Sequence, residues 1–471
     1  DSGGANTTGH SNAAFGAYAL KSKTTGNSNA AFGAGAMENG TTGSQNTAIG
    51  ARALLTTTAS DNTAVGFWAL NANTTGASNV AIGALALDSN TTASVNTGIG
   101  YSALTANTTG ASNTAVGGGA LGANTTGAQN NALGHKALEK NTTGNYNVAV
   151  GYDALGENLV GVDNTAIGHS ALTLNTASYN TAVGKSALAV NTTGATNTAI
   201  GSGSLASNTT GADNVAVGQS ALSRNTTASY NVAIGREALY LNTTGSRLSA
   251  VGTSALFANT TGTRSSALGW GALTANTTGN YNTAVGDIAL YGNTTGSSNT
   301  GLGVSALEAN TTGANNSAVG VESLKSNTTG YQNTAIGKQA LRNTTTGHRN
   351  SAVGDGALYH NTTGYYNVAF GEASIKANTD GHSNTAVGHE ALLANTTGDT
   401  NVAVGNGALT TATTANDNVA VGANALRLTT TGASNTAVGS RALDANTTGA
   451  SNVAVGLQSL DANTTGSSNV A

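Results

Sequence analysis

A single 17-residue unit recurs along the whole chain, and no other feature constrains the fold as tightly. With Asn6 as the first residue of a unit, later units begin at Lys23, Gly40, Thr57, Asn73, Asn90 and Asn107 and continue to Asn463, giving 27 full repeats and a partial one. The consensus is N-T-T-G-x-x-N-T-A-V-G-x-x-A-L-x-A; "position" below means a place in this unit. A 17-residue unit cannot bury its own apolar face, so copies must stack on one another. Two units, around Thr57–Asn62 and Asn175–Asn180, are one residue short and carry T-A-S in place of T-T-G, which puts the deletion in a turn.

The positions differ sharply in tolerance. Position 11 is Gly in every full repeat, from Gly16 to Gly456. A Gly that never varies points to positive φ or to close backbone approach. Position 15 is Leu except at Met37 and Ile375, position 10 is always Val, Ile, Leu or Phe, position 9 is Ala except at Gly98 and Gly301, and position 7 is Asn except at Leu248 and Ser265. Charged residues fall almost wholly at positions 5, 6, 12, 13, 16 and 17; Lys23 and Asp380 are the exceptions within the array. Burying an unpaired charge is costly, so charge avoidance marks the interior. Positions 7–11 and 14–15 are therefore expected inside, with 5–6, 12–13 and 16–17 at outward corners.

Positions 7–11, N-T/V-A-V/I-G, are short, β-branched and closed by Gly, as a strand is. The segment x-x-A-L-x-A-N fits a second short strand or a single helical turn. T-T-G reads as a turn whose Gly is its left-handed residue. The expected fold is all-β: one parallel β-solenoid over residues 1–471. Each strand pairs with its copy one repeat on, about 4.8 Å away, for a rod of roughly 130 Å. Asn at positions 1 and 7 is placed to form amide ladders along it. The chain starts and stops partway through a unit, so we expect it to be a segment of a longer or processed protein.

Composition agrees with an ordered, non-enzymatic array. Only 8% of residues are charged, net charge is -4, and there is no Pro or Cys. Disordered chains tend to be rich in Pro and charge. The charge excludes a basic footprint for nucleic acid, and no apolar run approaches the roughly 20 residues of a membrane helix. Lack of Cys excludes disulfides and thiolate metal sites without placing the protein in a compartment.

Strand alternation raises the question of chain number. If the Ala at position 9 packs inside, positions 8 and 10 point out, and a column of apolar side chains needs partner chains. If 8 and 10 pack inside, an Ala ladder faces out and a monomer suffices. Thin cores favour the first arrangement.

Stretches such as Asn113–Leu121 (NTAVGGGAL) and Asn435–Leu443 (NTAVGSRAL) resemble the head repeats of YadA-like trimeric autotransporter adhesins and N-T-T-G repeats of bacteriophage tail fibres. The resemblance covers essentially the whole array. It implies a left-handed parallel β-roll, a homotrimer, and an extracellular, cell-surface or virion-surface rod that contacts a host surface or glycan. The adhesin unit is shorter, so the extra residues here are expected in a longer or helical turn.

No catalytic constellation, metal set or cofactor motif is legible. The seven His residues are scattered, and recurrent Gly makes any single G-x-G-x-x-G match meaningless for phosphate binding. The candidate surface contacts are aromatic: Phe67, Trp68, Tyr146, Tyr230, Trp270, Tyr281, Tyr365 and Tyr366, placed to stack on sugars or dock partners. N-T-T is also a glycosylation sequon, which makes Asn73, Asn107, Asn124, Asn141, Asn208, Asn276, Asn310, Asn361 and Asn446 candidate glycan carriers. The expected function is a structural fibre or surface-display rod. The alternative is an ice-binding solenoid built on the Thr of positions 2 and 3.

Overall fold

A computed structural model describes residues 4–471. The coils group into two compact units, one ending at Asn231 and one spanning Val232–Ala471. The first holds strands β1 (Ala13–Phe15) to β13 (Val215–Val217), the second β14 (Val232–Ile234) to β27 (Val453–Val455). All are three residues long and occupy positions 8–10. Within each unit every strand pairs in parallel with the next in full register, as in Thr198↔Val215 and Ser249↔Ser266. This is a parallel β-solenoid, with no helix among the described residues. The two short coils keep strand register, Thr47↔Thr63 and Thr165↔Thr181, so the missing residue is absorbed outside the strand.

The corner after each strand is made by Gly at position 11, with φ between 127° and 142° in every coil. That region is essentially closed to side chains. The corner is also crowded: a Cβ on Gly134 would lie 2.4 Å from the carbonyl oxygen of Gly151 in the next coil.

Neither a second strand nor a helical turn follows. Positions 11–17 form overlapping i→i+3 turns, in which Ala19 N donates to Gly16 O (3.3 Å), Lys21 N to Tyr18 O (3.3 Å) and Lys23 N to Leu20 O (3.2 Å). The N–H groups between them donate to neighbouring coils, as Leu70 N does to Ala86 O (2.9 Å). This alternation needs left-handed residues at positions 13 and 15. The position-15 side chain, Leu in nearly every coil, accordingly sits at φ 48–56°. A left-handed Leu costs roughly 1–2 kcal/mol. The conformation is held because the side chain is fully buried and its N–H is bonded to the next coil. The position-4 Gly is not left-handed, contrary to expectation; its constraint is packing, since a Cβ on Gly110 would meet Gly127 O at 2.1 Å.

The interior consists of positions 1, 4, 7, 9, 14 and 15, as in the coil beginning at Asn107. This corrects the expected set of 7–11 and 14–15. The Ala at position 9 faces in, and positions 8 and 10 face out. The cause is the strand's two-residue alternation, anchored by Asn at position 7. Its amide must point inward to reach its ladder, so position 9 follows it and 8 and 10 do not. Room is also short: at Gly301 a Cβ would lie 3.2 Å from Ala306 O and 3.4 Å from Leu290 Cγ, which leaves space for Ala but for little more.

Both Asn ladders form. At position 7, Asn46 donates its backbone N–H (3.0 Å) and its amide (3.1 Å) to Asn29 Oδ1. At position 1, Asn124 Nδ2 donates to Asn107 Oδ1 (2.8 Å) and to Gly127 O (2.9 Å). The ladders satisfy polar groups that a coil this narrow cannot keep wet. They break where the side chain changes or the coil shortens. Asn327 Oδ1 meets Thr344 and has no partner, and Asn158 Oδ1 has none beside the shortened coil, where Asn175 Nδ2 donates to Ala177 O (2.8 Å).

Lys23 fills an interior position 1. The next coil has Gly40 there, and the Lys23 ammonium donates to Gly43 O, the acceptor that an Asn at position 40 would otherwise serve. Burial lowers its pKa to about 8.

Candidate functional site

Two kinds of surface stand out: the outward strand face and the columns of corner residues. The strand face carries Thr, Val, Ser, Ala or Asn at position 8 and only Val, Ile, Leu or Phe at position 10. No charge occurs on it in any of the 27 strands. Because the strands pair in register its side chains stand in continuous columns, and the apolar ones are well exposed, Ile200 at 41% and Leu268 at 50%.

At the corners, residues one repeat apart stack directly on each other. Tyr365 lies between His348 and His382, with ring centroids at 5.2 and 4.8 Å, and Tyr331 extends the column beyond His348 at 4.7 Å. Tyr366 meets Tyr365 edge-on at 5.5 Å, and the guanidinium of Arg349 covers it and bonds its hydroxyl. Tyr281 is covered in the same way by Arg264. Phe67 and Trp68 stack on one another at 5.5 Å, and Arg52 lies over Trp68. Each of these rings spends a face or an edge on a neighbour, which reduces the aromatic surface open to a ligand. Tyr146 and Tyr230 stand exposed at position 6. Trp270 is exposed too, beside a cleft of about 240 Å³ floored by Gly271 and walled by Phe257 and Tyr291.

The histidines are scattered along the sequence, but stacking of the coils gathers several of them into columns. His135–Tyr152–His169, at 5.6 and 5.2 Å, is a second such column. The available signal was one repeat position carrying aromatic residues in consecutive coils. His382 also faces Asp399 at 3.3 Å. Charges at positions 13 and 16 interlock similarly: Glu322 accepts from Arg342 Nε, Lys325 Nζ and Gln339 Nε2, each at 2.9 Å. These bonds hold its carboxyl down to about 2.

The sequon asparagines lie elsewhere. Asn73, Asn107, Asn124, Asn141, Asn208, Asn276, Asn310, Asn361 and Asn446 are all fully buried. Each donates Nδ2 to the carbonyl three residues on, as Asn73 does to Gly76 O (2.8 Å) and Asn446 to Gly449 O (3.0 Å). A glycan on that nitrogen and this packing exclude one another. Position-2 threonines are also engaged, Thr74 Oγ1 donating to Thr91 O (2.9 Å) and Thr192 Oγ1 to Thr209 O (2.9 Å).

Among the described residues no three His, Cys, Asp or Glu side chains gather where they could hold a metal ion, and no helix is long and apolar enough to cross a membrane. No family model and no curated protein matches this sequence.

Proposed function

We propose that this chain is a non-catalytic structural array of an extracellular, cell-surface or virion-surface fibre, and that it self-associates through its outward strand face. The observation that carries this reading is the charge-free face. Three residues at about 3.3 Å and strands about 4.8 Å apart give roughly 50 Å² per coil, on the order of 600 Å² in each unit. The apolar part of the face in each unit is the unbroken position-10 column, joined by Val or Ala at position 8 in some coils, a continuous strip of the kind that soluble monomers rarely expose at length. The likeness of the repeat to adhesin heads and tail fibres supports the same role, with the corner columns as the variable surface offered to a host surface or glycan.

The ice-binding alternative has less support. The position-2 hydroxyls donate to carbonyls of the next coil, which leaves only the position-3 threonines, such as Thr109 and Thr126, facing water.

Light scattering tests the reading. The intact chain is expected at a multiple of its 45.7 kDa mass, and Val285→Asp with Val319→Asp, both on the strand face, is expected to reduce it to one chain. A single-chain mass for the unaltered protein at micromolar concentration refutes self-association. Thermal hysteresis at that concentration would favour ice binding instead.

A further inference from the structure

The outward column at position 10 is not uniform. From Ile99 to Val387 it alternates without interruption between a larger side chain and Val, coil by coil. The first unit carries Ile99, Val116, Leu133, Val150, Ile167, Val183, Ile200 and Val217; the second continues from Ile234 to Phe370 and Val387. Exposure follows size. From Leu133 to Phe370 every larger residue is exposed, between 40% and 56%, and every Val between them is half-buried. Position 8 shows no such alternation. The face therefore has ridges along each unit with a period of two coils, about 9.6 Å at the ordinary strand spacing.

We propose that this alternation is a register device: the strand face packs against a second copy of this chain and admits relative axial shifts only in steps of two coils. The proposal rests on the self-association reading above and adds what sets the alignment. Protein contacts are close-packed, so ridges must meet a surface of matching relief. A slip of one coil exchanges large for small at every level, producing overlaps at half the levels and voids at the rest. A slip of two coils restores the pattern. A strictly one-coil repeat would leave neighbouring registers nearly equivalent, which is the known weakness of repetitive strand surfaces. The period also identifies the occupant. A partner must repeat every two coils over ten consecutive coils of the second unit, and a second copy of the chain supplies that relief. A flat crystalline surface does not.

The chain has no Cys, so single thiols can be introduced on a clean background. Full-length Ile336→Cys is mixed with variants carrying one Cys at each position-10 residue from Ile234 to Val387, and oxidised. Mixed-disulfide yield is expected to alternate with the partner coil, at least five-fold higher for one parity than for its neighbours. In a background with Leu268 and Leu302 changed to Val, a mild change at exposed sites, the contrast is expected to fall below two-fold around those coils. Equal yields for adjacent coils in the otherwise unaltered chain, with cross-linking intact, overturn the register device while self-association stands. Failure of all pairs to cross-link, together with a single-chain mass, overturns both.

Discussion

Gly354 and Gly356 lie two residues apart in one coil, and the same substitution at each should differ sharply in cost. Gly354 is at position 11, with φ 137°, and a Cβ there would lie 2.5 Å from Gly371 O and 2.6 Å from Gly371 C. Ordinary contact begins at 3.4 Å, so the next coil would have to yield by about 0.9 Å, the difference of 3.4 and 2.5. Backbone atoms bonded into the stack cannot swing aside as a side chain can. The Gly-only conformation costs about 1–3 kcal/mol for any other residue, and overpacking adds about 1–3 kcal/mol. Gly354→Ala should therefore weaken its coil and the next by about 2–6 kcal/mol. Gly356 has φ 61° and nothing within 4 Å of its missing Cβ. That position carries Glu322 and Ser254 in other coils, also left-handed. Gly356→Ala should cost about 1–2 kcal/mol for the left-handed Ala, partly offset by the lower chain entropy of its unfolded form. A repeat array opens locally, so hydrogen exchange of peptides covering residues 344–377 is the suitable assay. Protection should fall in Gly354→Ala and stay near the parent in Gly356→Ala. If the two variants differ by less than about 1 kcal/mol, close stacking is not what excludes side chains from position 11.

Two further outcomes can be checked in the same way. Thr344→Asn should close the gap in the position-1 ladder by giving Asn327 Oδ1 a donor and Asn361 an acceptor; exchange across residues 327–361 should slow, by about 1 kcal/mol of local stability. Lys23 should make the first coils pH-dependent. Its folded pKa is about 8 against an ordinary 10.5, so between these values the unfolded coil binds more protons and stability rises with pH. The parent is thus expected to resist proteolysis near its first coils better at pH 10 than at pH 8, relative to Lys23→Asn measured alongside. Identical pH profiles for the two proteins would exclude a buried, depressed amine.

The features that were legible share a physical origin. A unit repeated every 17 residues places the same side chain beside its own copy, so an identical Asn, Gly or Leu must be tolerated next to itself. From this alone came parallel in-register pairing, the Asn ladders, the crowded Gly at position 11 and the turn location of both deletions. The charges at the corners were legible for the same reason, since interior positions cannot accept them. Lys23, which broke that rule, could be understood only with Gly40 beside it: one coil's excess side chain occupies the next coil's missing one.

The rest depended on relations that a one-dimensional pattern does not carry. Alternation at positions 8–10 defines two strand faces, and a thin core favours Ala inside without deciding it. The narrow cross-section and the inward demand of Asn at position 7 made that choice, and it turned Val and Ile outward. Apolar character at positions 14 and 15 suggested helix or strand, because no propensity rule anticipates a left-handed Leu in every coil; only bonding to the next coil and full burial sustain it. The sequons had the right letters on a turn whose Asn is buried, and the histidines became columns only once coils stacked. Sequence alone therefore determined the period and the pairing of the coils, because those follow from each residue meeting its own copy. The tertiary structure decided which side faces outward, because that depends on how much a coil of fixed circumference can enclose.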